Sequence, residues 1–282
     1  MGSALANRKV DLDWKIFGWT LGTALLLQIL SNLANDYGDF SKGTDDDGRI
    51  GPERALQSGA ITKQAMLQAI IINAAIALGA GLYTLQLAFG SLGHPWSLVL
   101  WAIGALSIAA AIGYTMGKRA YGYMGLGDLA VFLFFGIVGV GGTFLLQIKS
   151  LQFDIILPAV AIGLLSVGVL NLNNLRDSKN DALHDKRTIP VKIGLENGKS
   201  YQVGLIILAW MCLTIWWIKT YDSKIEILFF LPAIIFTKHI KSVLGITELT
   251  HFDPELKKVA LGTFAVSLVS LMLALLGDAI VI

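Results

Sequence analysis

The sequence predicts an all-α protein, a multi-pass bundle of transmembrane helices. The chain has 282 residues, of which 55% are apolar and only 15% are charged, whereas a soluble domain carries about a quarter charged residues. Stretches without Lys, Arg, Asp or Glu cover residues 66–90, 96–116, 129–148, 155–173 and 259–277. Each stretch is about long enough to cross a hydrocarbon core of about 30 Å as a helix.

Hydropathy along the whole chain predicts eight spans. The segment that holds Lys238, His239 and Lys241 fits only if these side chains lie near its end or extend toward the membrane surface. Cys212 is the only cysteine, which excludes a disulfide framework and a cysteine metal site. The predicted spans are residues 14–34, 66–90, 95–115, 128–147, 154–174, 201–218, 225–244 and 257–280.

The distribution of basic residues predicts the orientation. The loops after spans one, three, five and seven carry sixteen of the 22 lysines and arginines. Because cytoplasmic loops carry an excess of Lys and Arg, these loops are predicted to be cytoplasmic. Both acidic clusters described next lie on that side. The six basic residues of the opposite side are Arg8, Lys9, Lys15, Lys149, Lys219 and Lys224.

Two acidic clusters stand where apolar spans end. The first is "SNLANDYGDF", residues 31–40, and the second is "NLNNLRDSKND", residues 171–181. Side chains three or four residues apart share one face of a helix, so each cluster directs a stack of oxygen atoms the same way. The members of the first stack are Asn32, Asp36 and Asp39, and those of the second are Asn173, Asp177 and Asp181.

Oxygen ligands without His or Cys favour hard cations, above all Mg²⁺. Magnesium held by few carboxylates takes its remaining ligands from water and substrate phosphates. Two facing clusters therefore predict a site that holds two Mg²⁺ ions with a diphosphate between them. We expect four carboxylates to be catalytic and to bind the metal: Asp36, Asp39, Asp177 and Asp181.

Two other interpretations of the acids compete with this one. A single acid at a helix end is often a solvated surface group, but a charge near the bilayer centre costs about 2.5–3.5 kcal/mol, and two stacks on one side indicate a polar site. A cation-coupled transporter also uses intramembrane carboxylates. Here, however, long basic loops follow the acids and suit an anionic substrate. Arg49, Lys186 and Arg187 are predicted to bind a diphosphate.

The motifs resemble those of the UbiA-type intramembrane prenyltransferases. The Asn-Asp-x-x-Asp core of that family matches Asn35, Asp36 and Asp39, and its Asp-x-x-x-Asp matches Asp177 and Asp181. The surrounding residues are similar to the branch that prenylates 1,4-dihydroxy-2-naphthoate in menaquinone synthesis. The matching segments are "NDYGDFSKGTD", "RIGP", "YGYMGLGDLAVFLFFG" and "NLRDSKNDALHDKRT".

This resemblance implies a single domain over residues 1–282 and a Mg²⁺-dependent transferase in the cytoplasmic (inner) membrane of a bacterium. The enzyme would join a polyprenyl chain from polyprenyl diphosphate to the naphthoate, releasing diphosphate and CO₂ and giving demethylmenaquinol. Another aromatic acceptor, such as 4-hydroxybenzoate, stays open. Further candidates for substrate binding are Asn32, Asn35 and Asn173 beside the metals, and Tyr114, Tyr121, Tyr123 and Asp128 near the aromatic ring.

The number of spans departs from the family pattern. The family fold has nine transmembrane helices, whereas eight spans are predicted here. The first residues, "MGSALAN", resemble the tail of the family's first helix. We therefore expect a truncated first helix, with the motifs intact.

Overall fold

All regular secondary structure in the described residues is helical. A computed structural model describes residues 1–44, 50–51, 53–221 and 223–280, with the backbone alone for 278–280. The α-helices, in chain order, are α1 Gly2–Asn7, α2 Trp14–Lys42, α3 Lys63–Phe89, α4 Pro95–Gly113, α5 Gly127–Val131, α6 Gly139–Ile148, α7 Ile156–Leu183, α8 Ile189–Ile193, α9 Leu195–Thr220, α10 Ala233–Leu244 and α11 Phe252–Ile280. A π-helical segment, Phe132–Val138, joins α5 to α6. Short 3₁₀ turns lie at Tyr121–Met124, Phe153–Ile155, Lys224–Phe230 and Leu249–His251.

Eight helical segments in the described residues are long and apolar enough to cross a membrane, which confirms the predicted eight-span bundle. They are Trp14–Lys42, Lys63–Phe89, Pro95–Gly113, Gly127–Ile148, Phe153–Leu183, Leu195–Thr220, Lys224–Leu244 and Leu249–Gly277.

Two spans extend well beyond their predicted ends. The first predicted span ended near residue 34, but helix α2 continues to Lys42, and the fifth ended near residue 174, but α7 continues to Leu183. The acids of both stacks, whose spacing predicted a helix, lie in these extensions. Hydropathy reports how apolar a segment is and not whether its backbone is helical. A span predicted from hydropathy therefore ends where the polar residues of an acidic motif begin. The actual end of α2 is set by Gly43, whose φ of 76° is left-handed, a conformation that glycine adopts without steric cost.

The chain divides into two compact units. The first comprises Met1–Leu12, Asp128–Arg176 and the chain from Ile193 onwards. Helix α1 packs against α6 and α11 in this unit, and the core includes Phe144, Leu165 and Phe252. Gly136 and Gly163 let the π-helical segment approach α7 closely, because a Cβ on Gly136 would lie 2.7 Å from the Gly163 Cα.

The second unit comprises Asp13–Gly127 and Asp177–Lys192. Helix α2 packs against α3 and α4 in this unit. Leu30, Met66 and Ile70 form its apolar core. The end of α2 and the end of α7 therefore both belong to the second unit. The single domain expected from the family resemblance stays a prediction.

The charged segment of α10 corrects one expectation. Lys238 and Lys241 are exposed, as predicted for this span, but His239 is completely buried. Its Nδ1 lies 2.7 Å from Glu255 Oε2, and its Nε2 lies 3.1 Å from the amide nitrogen of Gln202. Buried polar groups are tolerated when they are hydrogen-bonded, so these partners explain why His239 lies inside the protein.

Candidate active site

Both acidic motifs occupy the last turns of long helices. Asp36 and Asp39 lie in the last two turns of α2, and Asp177 and Asp181 lie in the last two turns of α7. A helix C-terminus carries a partial negative charge, so carboxylates are unfavourable there unless cations lie nearby. Stability alone does not explain this placement, which is typical of a site that binds cations.

Asp39 is at the centre of the contacts. The residue is 2% exposed. Its Oδ2 lies 3.3 Å from Arg54 Nη1 and 3.6 Å from Lys186 Nζ. Its Oδ1 accepts a 2.8 Å hydrogen bond from the Tyr123 hydroxyl. One buried carboxylate thus contacts two basic side chains and a phenol from three different loop segments.

Lys186 connects the two acidic motifs. Its ammonium also lies 3.5 Å from Asp181 Oδ1, and the negative charge of Asp177 acts on it as well. Burial lowers the pKa of Lys186, but the charges of Asp39 and Asp181 outweigh burial and raise the pKa above its usual 10.5. Lys186 is therefore a cation at physiological pH.

The backbone around Lys186 fixes this position. The Lys186 amide donates a 2.9 Å hydrogen bond to the Asp181 carbonyl, and the Arg187 amide donates a 3.0 Å bond to the Tyr123 carbonyl. Asp185, just before Lys186, has a φ of 55°, a left-handed conformation that few residues other than glycine adopt. The tight turn after α7 directs the lysine side chain back toward the carboxylates.

Tyr123 is a neutral hydrogen-bond donor at this site. Burial raises the pKa of its phenol, and the negative charge of Asp39 raises it further. The hydroxyl also shares a 2.6 Å hydrogen bond with the Thr44 hydroxyl. The Lys42 ammonium lies 3.8 Å from the centre of the Tyr123 ring, within the range of a cation–π interaction.

A further contact joins the two helix ends. The side-chain amide of Asn180, which is 6% exposed, donates a 2.7 Å hydrogen bond to the Thr44 carbonyl. Asn180 precedes Asp181 in α7, and Thr44 follows the end of α2. This hydrogen bond keeps the second acidic motif close to the first.

The four predicted catalytic carboxylates differ in their surroundings. Asp39 and Asp181 are buried and share Lys186, and Asp177 is buried near the same ammonium, whereas Asp36 is half-buried. Within residues 1–44, 50–51, 53–221 and 223–280, no three His, Cys, Asp or Glu side chains are close enough together to hold a metal ion. The predicted four-carboxylate metal site stays a prediction.

Three other predicted residues of the second unit have contacts of their own. Asn32 is exposed on α2 and accepts a 3.4 Å hydrogen bond from Gln28. Asn35 accepts a 3.3 Å hydrogen bond from the Thr115 hydroxyl. Tyr114 packs edge-on against Tyr121, with ring centres 5.3 Å apart. These contacts orient the three side chains.

Two predicted residues belong to the first unit. Asp128 accepts a 2.9 Å hydrogen bond from the Tyr201 hydroxyl, and Asn173 accepts a 2.7 Å bond from Arg176. Arg187, in the second unit, is exposed. Arg49, predicted to bind diphosphate, lies outside the described residues.

Arg54 was not predicted as a site residue, and Tyr123 was not distinguished from the other aromatic candidates. By sequence, Arg54 is only one of many basic residues in the loops that are predicted to be cytoplasmic. Tyr123 was grouped with Tyr114 and Tyr121, although its hydroxyl donates to Asp39, whereas that of Tyr121 donates to the Ala110 carbonyl. No spacing rule links these residues to the acids, because loop folding brings them there.

Comparison with known proteins agrees with these motifs. The sequence profile of the UbiA prenyltransferase family matches residues 1–245, most of the chain. The chain belongs to this family. A relative from Haemophilus influenzae is 38% identical over 90% of this chain and 82% of its own length. A relative from Escherichia coli is 40% identical over 95% of this chain and 86% of its own length.

A third relative, from Mycobacterium tuberculosis, is 41% identical over 70% of this chain and 64% of its own length. All three carry the name 1,4-dihydroxy-2-naphthoate octaprenyltransferase. No solved structure matches the chain.

Family membership confirms the resemblance drawn from the motifs. With the eight apolar helices, it makes the chain a multi-pass membrane protein and a prenyltransferase. The alternative of a cation-coupled transporter receives no support from these matches.

Proposed function

We propose that the protein joins a polyprenyl chain from polyprenyl diphosphate to 1,4-dihydroxy-2-naphthoate. Diphosphate and CO₂ leave, and the product is demethylmenaquinol. The observation that carries this proposal is the convergence of Asp39 and Asp181, one from each acidic motif, on the Lys186 ammonium. The names of the relatives, matched over most of the chain, support the choice of acceptor.

Two of the predicted carboxylates provide the kind of ligand that a divalent metal needs. Asp39 and Asp181 already hold a cation between them, and their carboxylate oxygens are the ligands that Mg²⁺ prefers. We propose that Asp36, Asp39, Asp177 and Asp181 hold Mg²⁺, with Asn32, Asn35 and Asn173 in support. The metal, when bound, stabilises the negative charge of a departing diphosphate.

Basic side chains bind the rest of the diphosphate. Lys186 and Arg54 lie at the carboxylates, and Arg187 and Arg49 come from the same two loops. Their positive charge stabilises the diphosphate as it breaks away from the prenyl carbon. The bond electrons leave with the diphosphate, so the prenyl chain becomes an allylic cation.

The naphthoate ring then attacks this cation at the carbon that bears its carboxylate. Loss of CO₂ returns the bonding electrons to the ring and restores its aromaticity, so charge and atoms balance without an oxidant. Tyr114 and Asp128 are the residues we propose to orient the ring. Tyr123, through Asp39, positions the metal-binding carboxylate rather than the acceptor.

The membrane setting suits these substrates. A polyprenyl tail is too apolar for water, whereas the diphosphate needs the polar end of the bundle. We propose that the protein lies in a bacterial cytoplasmic (inner) membrane with the acidic motifs facing the cytoplasm. The excess of Lys and Arg in the loops after spans one, three, five and seven supports this orientation.

The choice of acceptor is tested by a transfer assay in membranes that contain the protein. Labelled octaprenyl diphosphate is offered with 1,4-dihydroxy-2-naphthoate or with 4-hydroxybenzoate, and products are identified by mass spectrometry. We expect the prenylated, decarboxylated naphthol and no prenylated hydroxybenzoate. Product from 4-hydroxybenzoate alone would overturn the naphthoate assignment while keeping the reaction class.

A further inference from the structure

Lys186 lies farther from the two buried carboxylates than a short charge-assisted hydrogen bond would place it. Its Nζ lies 3.6 Å from Asp39 Oδ2 and 3.5 Å from Asp181 Oδ1. Charge-assisted hydrogen bonds are normally about 2.7–2.9 Å long. Elsewhere in the protein, Lys199 and Glu196 approach to 2.7 Å. The ammonium thus lies between two carboxylates without a short bond to either.

The surroundings make the position of Lys186 costly to leave empty. The side chain of Lys186 is 11% exposed, and those of Asp39 and Asp181 are 4% and 3% exposed. Two carboxylates buried this deeply, at helix C-termini, are strongly destabilising without a cation. The backbone hydrogen bond from Lys186 to Asp181 keeps the lysine within reach.

We propose that the Lys186 ammonium is a built-in substitute for the metal, which occupies Asp39 and Asp181 when no metal is bound and competes with it. The inference rests on the proposed function, because it assumes that these carboxylates hold Mg²⁺. When the metal binds, Lys186 leaves the carboxylates and becomes available to the diphosphate. An empty site therefore keeps its carboxylates neutralised, and the same lysine serves the substrate afterwards.

A permanent salt bridge makes the opposite prediction. If Lys186 only supported the fold, its removal would loosen both carboxylates and weaken metal binding. If Lys186 competes with the metal, its removal strengthens metal binding in the absence of substrate. The sign of the change in metal affinity therefore separates the two roles.

The test measures Mn²⁺ binding to purified protein without substrate, from the electron paramagnetic resonance signal of the free ion. Lys186→Met removes the charge and keeps the length of the side chain. We expect it to bind Mn²⁺ about tenfold more tightly than the unaltered protein. A tenfold change corresponds to about 1.4 kcal/mol, and the attraction between the Lys186 ammonium and a carboxylate at this distance, which the metal must replace, exceeds that energy. Unchanged or weaker binding by Lys186→Met would overturn the inference.

Two further variants control this measurement. Lys192→Met removes a nearby lysine of the same unit whose Nζ donates to the Met124 carbonyl instead, and it should leave Mn²⁺ affinity unchanged. Lys186→Arg keeps the positive charge, so it should not gain affinity. A gain in Lys186→Arg equal to that of Lys186→Met would also count against competition, because charge would then not be the cause.

Thermal unfolding provides a second readout if Lys186→Met is unstable. In EDTA this variant has lost the Lys186 cation from both carboxylates, and we expect its melting temperature to fall. Adding Mg²⁺ should raise the melting temperature of the variant by more than it raises that of the unaltered protein. If Mg²⁺ has no larger effect on the variant, the inference fails. The transfer assay of the unaltered protein does not depend on this competition and reports separately on the proposed function.

Discussion

The hydroxyl of Tyr123 donates a 2.8 Å hydrogen bond to Asp39 Oδ1, and thereby connects the loop after α4 to the first acidic motif. The opposite oxygen of the same carboxylate faces Arg54 and Lys186. Tyr123 therefore fixes the rotation of the carboxylate, so that one oxygen faces the cations. This makes Tyr123 a positioning residue. Replacing it should therefore change activity and the Mg²⁺ requirement in a way that replacing a neighbouring tyrosine does not.

Tyr123→Phe removes this hydrogen bond without changing the ring. We expect kcat/KM for prenyl transfer to fall about tenfold or more, because small displacements of a reacting group are costly. The concentration of Mg²⁺ needed for half-maximal activity should rise as well. Both quantities are measured in the transfer assay by titrating Mg²⁺.

Tyr121→Phe is the matched control. The hydroxyl of Tyr121 donates to the Ala110 carbonyl and not to an acid. Its loss should reduce stability by about 1 kcal/mol and leave the Mg²⁺ requirement unchanged. Equal changes in the Mg²⁺ requirement of both variants would show that Tyr123 has no special role at Asp39.

Gly38 lies between the two acids of α2 and packs directly against the residues that follow α4. A Cβ on Gly38 would lie 2.4 Å from the Thr115 hydroxyl and 2.7 Å from a backbone carbon of Thr115. Gly38→Ala must therefore push α2 away. We expect a loss of about 1–3 kcal/mol in stability, together with a loss of activity, measured by thermal unfolding and by the transfer assay.

Gly22→Ala on the same helix is the control for this change. Nothing lies within 4 Å of a Cβ at Gly22. Alanine stabilises a helix by about 0.5–1 kcal/mol relative to glycine, so this variant should be as stable as the unaltered protein or slightly more stable. Destabilisation as large as that of Gly38→Ala would mean that close packing at Thr115 is not the cause.

The positive charge that Lys186 supplies to the cluster should persist over the physiological pH range. The pKa of Lys186 is raised, so the stability it contributes is fully present below 10.5 and is lost only as the pH rises through its higher folded value. Burial raises the pKa of Tyr121 from 10.0 to about 12. The unfolded phenol therefore ionises first, and stability falls as the pH rises above about 10.

This pH dependence is measured as the melting temperature against pH. The fall above about 10 should be smaller in Tyr121→Phe, which lacks the ionising group. A loss of stability between about pH 7 and pH 9 that disappears in Lys186→Met would contradict the direction given for Lys186.

A chain of buried hydrogen bonds connects four helices of the first unit. Asn171 donates to the Gln202 oxygen at 3.0 Å, so the Gln202 nitrogen is left to donate to His239 at 3.1 Å. His239 must then carry its proton on Nδ1, which faces Glu255 at 2.7 Å. Asn171, Gln202 and His239 are all fully buried.

Gln202→Leu removes the middle of this chain and leaves buried groups of Asn171 and His239 unsatisfied. We expect a loss of about 2 kcal/mol or more in stability, since each such group costs about 1–3 kcal/mol. Ser200→Ala on the same helix removes an exposed bond to the Glu196 carbonyl and should change stability little. Thermal unfolding of the purified variants distinguishes the two.

The fold was largely predictable because transfer into lipid imposes long apolar helices. All eight spans were predicted, but the first and fifth were ended before the acidic turns that continue α2 and α7. Their last turns are polar yet helical, and the protein rather than lipid surrounds Asp39 and Asp181. Residue composition alone does not show where a helix passes from lipid into a polar site formed by the protein.

The candidate site was predictable only in part. Helical spacing placed Asp36 with Asp39 and Asp177 with Asp181, and the resemblance identified both motifs. The contacts of Arg54 and Tyr123 with Asp39 depend on loops that bring distant residues together. The burial of His239 likewise depends on Glu255 and Gln202, which periodicity does not link to it.

The most direct test of the proposed chemistry is formation of the prenylated naphthol by membranes that contain the unaltered protein, Asp39→Asn or Asp181→Asn, with Mg²⁺ or with EDTA. Each substitution keeps the side-chain size and removes one carboxylate charge. The account predicts Mg²⁺-dependent product from the unaltered protein and a loss of at least about a hundredfold in either variant. Product formation that survives EDTA, or that is undiminished in either Asp39→Asn or Asp181→Asn, would contradict it.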